Sequence, residues 1–335
     1  MCALLSGSAD LSCQIAGIRL PSPFVLASGI WGTSPALLER AARTGAGAVT
    51  AKTCTPRPRR GHKNPTAIDW GHGLINAMGL PNPGVTQELA LLQEASRRLR
   101  PLKVALIASI SADTADDFAQ SASIITRSGP DMIELNISCP NLGAEHGEMF
   151  AASPAAAAEV TARVKAVTSL PCLVKLSPNV HDIGEIARAV VDAGADAITA
   201  INTMPGMLID AGAGLPVLAN GTGGISGPAL KPIALRCVYD IASVVSVPIV
   251  GTGGVLTGVD TVEMILAGAT AVGVGSAVFY RGDQTFSLIR EELSAWLTAH
   301  DHGCLDQIRG TVHRGRSDTI MTAPPPFPDW ERNDG

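Results

Sequence analysis

Residues 172–202 have the sequence CLVKLSPNVHDIGEIARAVVDAGADAITAIN, and this stretch decides the fold. Its two ends, Cys172–Leu176 and Ala197–Asn202, are short and mostly apolar runs. Runs that are apolar on both faces are typical of parallel strands covered by helices. Between them, Ile183–Ala193 has a helical pattern that begins after Asp182 and stops at Gly194, as helix caps prefer. The stretch therefore predicts a strand–helix–strand unit.

The same unit recurs along the chain. Strands are predicted at Phe24–Ser28, Ala48–Thr53, Val104–Ile110, Met132–Ile137, Cys172–Leu176, Ala197–Asn202, Pro248–Thr252 and Ala271–Gly275. Helices are predicted at Pro35–Arg43, Thr86–Leu99, Ala115–Arg127, Pro154–Thr168, Ile183–Ala193, Pro228–Val244 and Val259–Leu266. This α/β alternation predicts a (β/α)8 TIM barrel as one domain at residues 1–322, with a Pro-rich tail at residues 323–335. A doubly wound open sheet is the rival, but no G-x-G-x-x-G opens a helix after the first strand.

Two insertions interrupt the alternation, and both leave the carboxyl ends of predicted strands. They are Cys54–Pro83 after the second strand and Thr203–Gly227 after the sixth. Barrel active sites are built at that end, so we expect both insertions to border the site. Residues Ser12–Pro21 are predicted to form a short hairpin that plugs the opposite end.

The composition indicates a large buried core. Of 335 residues, 46% are apolar and 16% charged, against about 25% charged in average domains. The formal charge of −5 provides no field for wrapping nucleic acid or docking on an anionic membrane. No segment approaches the ~20 apolar residues of a membrane span. The one basic run, Arg57–Lys63, is interpreted as a solvated loop or, alternatively, as a local contact for an anion or partner.

The seven cysteines are an odd number and are dispersed, without a C-x-x-C pair. This pattern favours a reducing compartment and lacks the spacing that an iron–sulfur centre requires. The first residues lack a basic flank followed by an apolar stretch, so no signal peptide is predicted. We therefore expect a cytoplasmic protein.

Cys139 is the candidate for chemistry, because it follows a predicted strand in the segment 136–141, NISCPN. A thiol has a reference pKa of about 8.5 and needs activation to serve as a base; an inert buried cysteine is the alternative. Four asparagines at strand ends or loops of the same face favour the functional interpretation: Asn76, Asn136, Asn141 and Asn202. Amide side chains suit a planar ring that carries amide and carbonyl groups, whereas turn asparagines are the simpler explanation.

Two lysines and three glycine-rich runs predict an anionic ligand at this face. Lys52 and Lys175 end otherwise apolar strands, where either can stabilise negative charge. Glycines crowd in 223–227, 251–254 and 273–276, the last two runs at the last two strands. Barrels commonly hold a phosphate there, because backbone N–H groups can approach it closely. Surface lysines and ordinary turn glycines are the alternatives.

Several of these segments together resemble the dihydroorotate dehydrogenases, and within them the class 1B branch. The similar segments are ELNISCPN at 134–141, VKLSPNV at 174–180, INT at 201–203, TGGISGPA at 222–229 and NAMGLPNPG at 76–84. The resemblance implies an FMN-containing barrel that oxidises dihydroorotate to orotate in pyrimidine synthesis. It implies that Cys139 removes the C5 proton while hydride passes from C6 to the flavin.

The resemblance also implies two sets of binding residues. The substrate positions are Lys52, Asn76, Ala77, Met78, Gly79, Leu80, Asn136, Asn141, Asn202 and Thr203. The flavin positions are Ser28, Lys52, Thr53, Ser109, Asn136, Lys175, Ile201, Gly227, Gly253, Gly254, Gly275 and Ser276. Ser109 departs from the family, which usually has an asparagine there.

In class 1B enzymes, electrons leave through a separate subunit with FAD and a [2Fe–2S] cluster to NAD. The resemblance therefore implies such a partner and a heterotetramer or homo-oligomer. Two alternatives stay open: an oxidoreductase acting on another dihydropyrimidine such as dihydrouracil, and a non-catalytic flavin-binding subunit.

Overall fold

Eight parallel strands close into a barrel in a computed structural model that describes residues 9–137 and 150–315. In chain order, the barrel strands are β3 (Phe24–Leu26), β4 (Ala48–Thr50), β7 (Ala105–Ile110), β8 (Met132–Asn136), β9 (Cys172–Leu176), β10 (Ala197–Ala200), β15 (Ile249–Thr252) and β16 (Ala271–Val274). The last strand pairs with the first, Val272 opposite Phe24 and Val274 opposite Leu26. The predicted barrel is confirmed, and the open sheet is excluded.

Helices surround the barrel. They are α1 (Pro35–Thr44), α2 (Val85–Leu99), α3 (Ala115–Thr126), α4 (Pro154–Lys165), α5 (Ile183–Asp192), α6 (Lys231–Ala242), α7 (Gly258–Leu266), α8 (Ala277–Arg281) and α9 (Thr285–Ala299). Side chains of Ser34, Thr114, Ser153 and Asp182 accept backbone N–H groups at the starts of α1, α3, α4 and α5. These caps satisfy donors that the first turn leaves without partners, as the sequence pattern predicts.

The structure differs from the prediction at element ends. The strands that contain Ser28, Thr53 and Asn202 stop two or three residues early. Beyond the ends of β3 and β4, a hydrogen bond to a side chain connects the two segments: the Thr53 backbone N–H donates to Ser28 Oγ at 3.2 Å. Predicted helix Pro228–Val244 begins with a 3-10 turn, and α8 and α9 were not predicted.

A short antiparallel hairpin, β1 (Cys13–Ile15) and β2 (Ile18–Leu20), closes the amino-terminal end of the barrel. Ile15 and Leu20 are fully buried and form one cluster with interior residues of the barrel strands, including Met132 and Leu173. The predicted plug is thus confirmed. It leaves the carboxyl end as the end at which a ligand can enter.

The two insertions build one antiparallel sheet at the carboxyl end. Its order is β11 (Met204–Gly206), β14 (Gly223–Ser226), β6 (Leu74–Asn76) and β5 (Ala67–Asp69). The second insertion also carries a hairpin of β12 (Ile209–Asp210) and β13 (Leu215–Pro216). Pairing of β6 with β14, with Asn76 opposite Gly224, joins the two insertions. Within the described residues, no helix is both long and apolar enough to cross a membrane.

One carboxyl group lies in the layer between barrel and helices. Glu88 of α2 is buried, and desolvation raises its pKa to about 7. The carboxyl therefore holds its proton in the folded protein at pH values where the unfolded chain has lost it. Unfolding then releases a proton, so stability falls as pH rises from about 4.5 to about 7.

We predict that Glu88→Gln stabilises the protein above pH 7, because a neutral amide avoids burying a charge. The unfolding free energy of Glu88→Gln minus that of the wild type, measured by denaturant unfolding, should increase by about 1–3 kcal/mol between pH 5 and pH 8. Glu291→Gln, on the exposed side of α9, is the matched control and should show no such trend. An equal effect of Glu88→Gln at both pH values would contradict the assignment.

Candidate functional site

The carboxyl ends of the barrel strands and the insertion sheet bring the predicted site residues to one region. Two of them, Cys139 and Asn141, lie outside the described residues. The others follow, or end, strands that are neighbours around the barrel, or lie on the insertion sheet and its loops. The structure therefore supports the grouping that the sequence predicted.

Three hydroxyl groups form a continuous contact across three neighbouring strands. Ser28 Oγ lies 3.0 Å from Thr53 Oγ1, and Thr53 Oγ1 lies 2.9 Å from Ser109 Oγ. Ser28 Oγ also donates to the Ala51 carbonyl at 3.0 Å. Thr53 and Ser109 are buried, whereas Ser28 is half-buried at the edge. These groups give the wall of the site a polar lining at the positions predicted for the flavin.

The predicted asparagines Asn136 and Asn202 contact each other. Asn202 Nδ2 donates to Asn136 Oδ1 at 3.4 Å, and Asn136 Nδ2 donates to Thr53 Oγ1 at 3.3 Å. Asn202 Oδ1 accepts the backbone N–H of Thr203 at 2.8 Å. The amides thus continue the line of hydroxyl groups toward the insertion that begins at Thr203.

Lys175 lies in the middle of this region. It is 7% exposed, on β9 directly opposite Asn136 of β8. No carboxylate of residues 9–137 and 150–315 forms an ion pair with it within 4.0 Å. A lysine is rarely buried without a partner. Its ammonium group suits a ligand that carries or develops negative charge. Lys52, the other predicted lysine, is half-buried two residues past β4.

The segment from Asn76 to Leu80 continues from the insertion sheet and is held from two sides. Asn76 Nδ2 donates to the Gly224 carbonyl at 3.4 Å. The backbone N–H of His62 donates to the Met78 carbonyl at 3.0 Å. Gly79 has φ +72°, and a Cβ there would lie 2.8 Å from the His62 backbone nitrogen. Ala77 and Leu80 are buried, while Met78 is exposed.

Gly253 and Gly254 form a turn that a side chain would obstruct. Both have positive φ, +131° and +75°, and a Cβ on Gly254 would lie 2.5 Å from Lys231 Cβ and 2.7 Å from its backbone nitrogen. The turn therefore packs directly on the first turn of α6. Gly227 has φ +87°, and Ser276 Oγ lies 3.7 Å from the place its Cβ would take. Two separate glycine segments thus approach the same rim.

The donor set fits a flavin nucleotide. A buried ammonium group, a row of hydroxyl groups and two amides surround the interior, and bare backbone lies at the rim after β15 and β16. Ile201 is buried beside them, and its N–H donates to the Thr252 carbonyl. At Gly275 a Cβ would make only an ordinary contact with Ala27 Cβ, at 3.6 Å. Backbone N–H groups of this kind bind phosphate.

The described cysteines are structural. Cys13, Cys54, Cys172, Cys237 and Cys304 are free thiols and all buried. Desolvation raises the pKa of Cys13 and Cys172 to about 12 and that of Cys237 to about 11, and it also raises that of Cys54. Thiols of this kind do not act as bases near neutral pH.

Glu134 and Thr199 are site residues that the sequence reasoning missed. Glu134 Oε1 accepts from Ser109 Oγ at 3.3 Å, and its Oε2 accepts from Thr199 Oγ1 at 3.0 Å. Glu134, Lys175 and Thr199 line the same small cavity inside the barrel. A signal was present: Glu134 is a charge within an apolar strand, the same pattern that singled out Lys175.

Comparison with known proteins gives consistent matches over most of the chain. The sequence model of the family described as "Dihydroorotate dehydrogenase" matches residues 10–297. A relative from Methanocaldococcus jannaschii, "Dihydroorotate dehydrogenase B (NAD(+)), catalytic subunit", is 43% identical over 307 residues, 92% of this chain and 99% of its own length. Relatives of the same name from Methanosarcina mazei and Pyrococcus abyssi are 44% and 43% identical over 89% and 90% of this chain, and 94% and 98% of their own.

We predict that Gly254→Ala disturbs the glycine turn, since a methyl group there meets the backbone of α6. We expect a loss of more than about 2 kcal/mol in unfolding free energy, and weaker retention of any phosphate-bearing ligand that the turn binds. Gly214→Ala is the matched control: it has φ +67° but open space around it, so only about 1 kcal/mol should be lost. Equal losses in the two variants would argue against a packed turn.

Proposed function

Because the chain belongs to the dihydroorotate dehydrogenase family, we propose that it oxidises dihydroorotate to orotate with bound FMN, as the catalytic subunit of an NAD-linked enzyme. The observation that carries the proposal is the buried Lys175 beside the line of amides and hydroxyl groups from Asn202 to Ser109. A cation and amide donors at one end of a closed barrel suit an anionic ring that bears amide groups.

The residues of this chain would bind and orient the two ligands. Asn76–Leu80, Asn136, Asn202, Thr203 and Lys52 would hold the substrate ring and its carboxylate. Ser28, Thr53, Lys175 and the rim glycines would hold the flavin, with its phosphate on the turn at Gly253 and Gly254. When bound, FMN supplies the acceptor for the hydride that leaves C6 of the ring.

Cys139 would remove the proton from C5. Four of the described thiols have raised pKa values because they are buried, which makes each of them a poor base. Cys139 follows β8, whose last residue, Asn136, is part of the site. Loops after barrel strands are where catalytic groups are placed in this architecture.

Electrons would leave through a partner subunit. The relatives are named as catalytic subunits, which implies that other subunits complete those enzymes. We propose a partner that carries FAD and a [2Fe–2S] cluster and passes electrons to NAD, in a heterotetramer. The existence of a partner rests on the names of the relatives, whereas its FAD and [2Fe–2S] cluster rest on the resemblance to class 1B enzymes. The alternative is a homo-oligomer of this chain.

Two other functions are tested by the same experiments. Oxidation or reduction of another dihydropyrimidine, such as dihydrouracil, would use the same base and flavin. A non-catalytic flavin-binding subunit would need no base, which is why we place it last.

We predict that the purified protein is yellow and that dihydroorotate bleaches its flavin band under anaerobic conditions, since the ring then gives up two electrons. A panel of dihydroorotate and dihydrouracil at equal concentration identifies the substrate by which ring reduces the flavin. If the colour persists with dihydroorotate, the substrate assignment is wrong; a colourless protein would contradict the cofactor.

We predict that Cys139→Ser retains orotate binding but reduces flavin at least about 100-fold more slowly, because a hydroxyl group is a much weaker base at neutral pH. Stopped-flow absorbance measures the reduction rate, and its dependence on pH should move to higher pH. Cys237→Ser, buried on α6 away from the site, is the control and should reduce at the wild-type rate. Unchanged reduction in Cys139→Ser would remove this residue from the mechanism.

A further inference from the structure

A buried carboxyl group ends the line of polar side chains in the site. Glu134 is 3% exposed, on β8 between β7 and β9, where its two oxygens accept from Ser109 and Thr199. No described lysine, arginine or histidine forms an ion pair with it within 4.0 Å. A buried polar group usually has a role that offsets its desolvation, so this one requires an explanation.

The line has one consistent direction of hydrogen-bond donation if it starts from the charge. A carboxylate can only accept, and hydrogen bonds to charged groups are about twice as strong as neutral ones. Ser109 has a single hydroxyl proton, so that proton goes to Glu134 Oε1 at 3.3 Å. Ser109 then accepts from Thr53, whose hydroxyl lies 2.9 Å away, and in the 3.0 Å contact with Ser28 the Thr53 oxygen accepts a Ser28 proton shared with the Ala51 carbonyl.

This direction carries through to the two asparagines. Because Thr53 donates its hydroxyl proton to Ser109, Thr53 Oγ1 can only accept from Asn136. Asn136 Nδ2 donates to it at 3.3 Å. Oδ1 of Asn136 then faces Asn202, which donates from Nδ2 at 3.4 Å. Asn202 Oδ1 independently accepts the Thr203 N–H at 2.8 Å, which agrees with the same orientation.

We infer that Glu134 is a positioning residue that fixes, through Ser109 and Thr53, which atoms of Asn136 and Asn202 are presented to the substrate. The inference deepens the proposed function and rests on it for the identity of the substrate. It also gives Ser109 a role, because its hydroxyl group connects Thr53 to the carboxylate. Without the charge, Thr53 can donate to Ser28 or to Asn136, and Glu134 no longer sets the direction of donation toward Asn136.

The first arm of the test measures ligand affinity in the holoenzyme. Orotate is titrated against the flavin absorbance of wild type, Glu134→Gln, Ser109→Ala, the double variant, and Glu88→Gln. We expect the Kd of orotate to rise about 5- to 10-fold in each single site variant, in line with the net contribution of one hydrogen bond. The double variant should bind orotate no more weakly than the weaker of the two single variants, because both substitutions break the same line of hydrogen bonds.

Glu88→Gln is the matched control. At pH 8, above the pKa of Glu88, it makes the same chemical change at an equally buried carboxyl group on α2, outside the line, so orotate affinity should stay at the wild-type value. A merely structural role of Glu134 would lower Tm without a selective loss of orotate affinity. Additive effects of Ser109→Ala and Glu134→Gln, or a wild-type Kd in Glu134→Gln, would overturn the inference.

The second arm does not depend on the substrate. In perdeuterated, 15N-labelled holoenzyme without orotate, the side-chain amide signals of Asn136 and Asn202 are assigned by substituting each asparagine. Both signals should shift in Glu134→Gln and in Ser109→Ala and stay in place in Glu88→Gln. Signals that do not move in Glu134→Gln refute the role of Glu134. If wild type binds no orotate while these signals shift, the proposed function fails and the positioning role stands.

Discussion

Closure of the barrel by pairing of β16 with β3 is the constraint on which the site depends. Val274 lies opposite Leu26, so the residues that follow the last strand lie beside those that follow the first. Ser28 and Gly275 are thereby neighbours on the rim although they are far apart in sequence. The hairpin plug at Ile15 and Leu20 fills the other end, which directs every ligand to this rim. Strand order therefore places the rim residues of the barrel, and the insertion sheet adds the segment from Asn76 to Leu80.

The barrel interior below the rim combines two opposite kinds of environment. Its amino-terminal half is an apolar cluster, and its carboxyl half contains Glu134 and Lys175, both buried. Glu134 accepts hydrogen bonds from Ser109 and Thr199 there, and under the proposed function a bound cofactor or substrate would give Lys175 its partner. In this arrangement a residue that never touches a ligand can still decide how the contacting residues are oriented.

The barrel and the grouping of the site were predictable, because periodicity and strand order are local properties of the sequence. Lys175 was found for the same reason: a charge in an apolar run is visible locally. Glu134 shares that pattern, but its partners Ser109 and Thr199 come from other strands, and only their register shows the connection. The predicted strands are longer than the observed ones, because Ser28 and Thr53 are connected through the Ser28 side chain and not by backbone strand pairing. The two helices after β16 were missed: α8 has only five residues, and neither helix begins with a side-chain cap, a feature that α2 and α6 also lack.

The joining of β6 to β14 has a consequence for how this protein can change over generations. Side chains alternate between faces along a strand, so the pairing of Asn76 with Gly224 ties the register of two segments about 150 residues apart. A single-codon insertion in either segment would turn the asparagine to the wrong face. Lineages should therefore tolerate length variation in the hairpin of β12 and β13, which lies outside this pairing, while the two paired segments keep their lengths together.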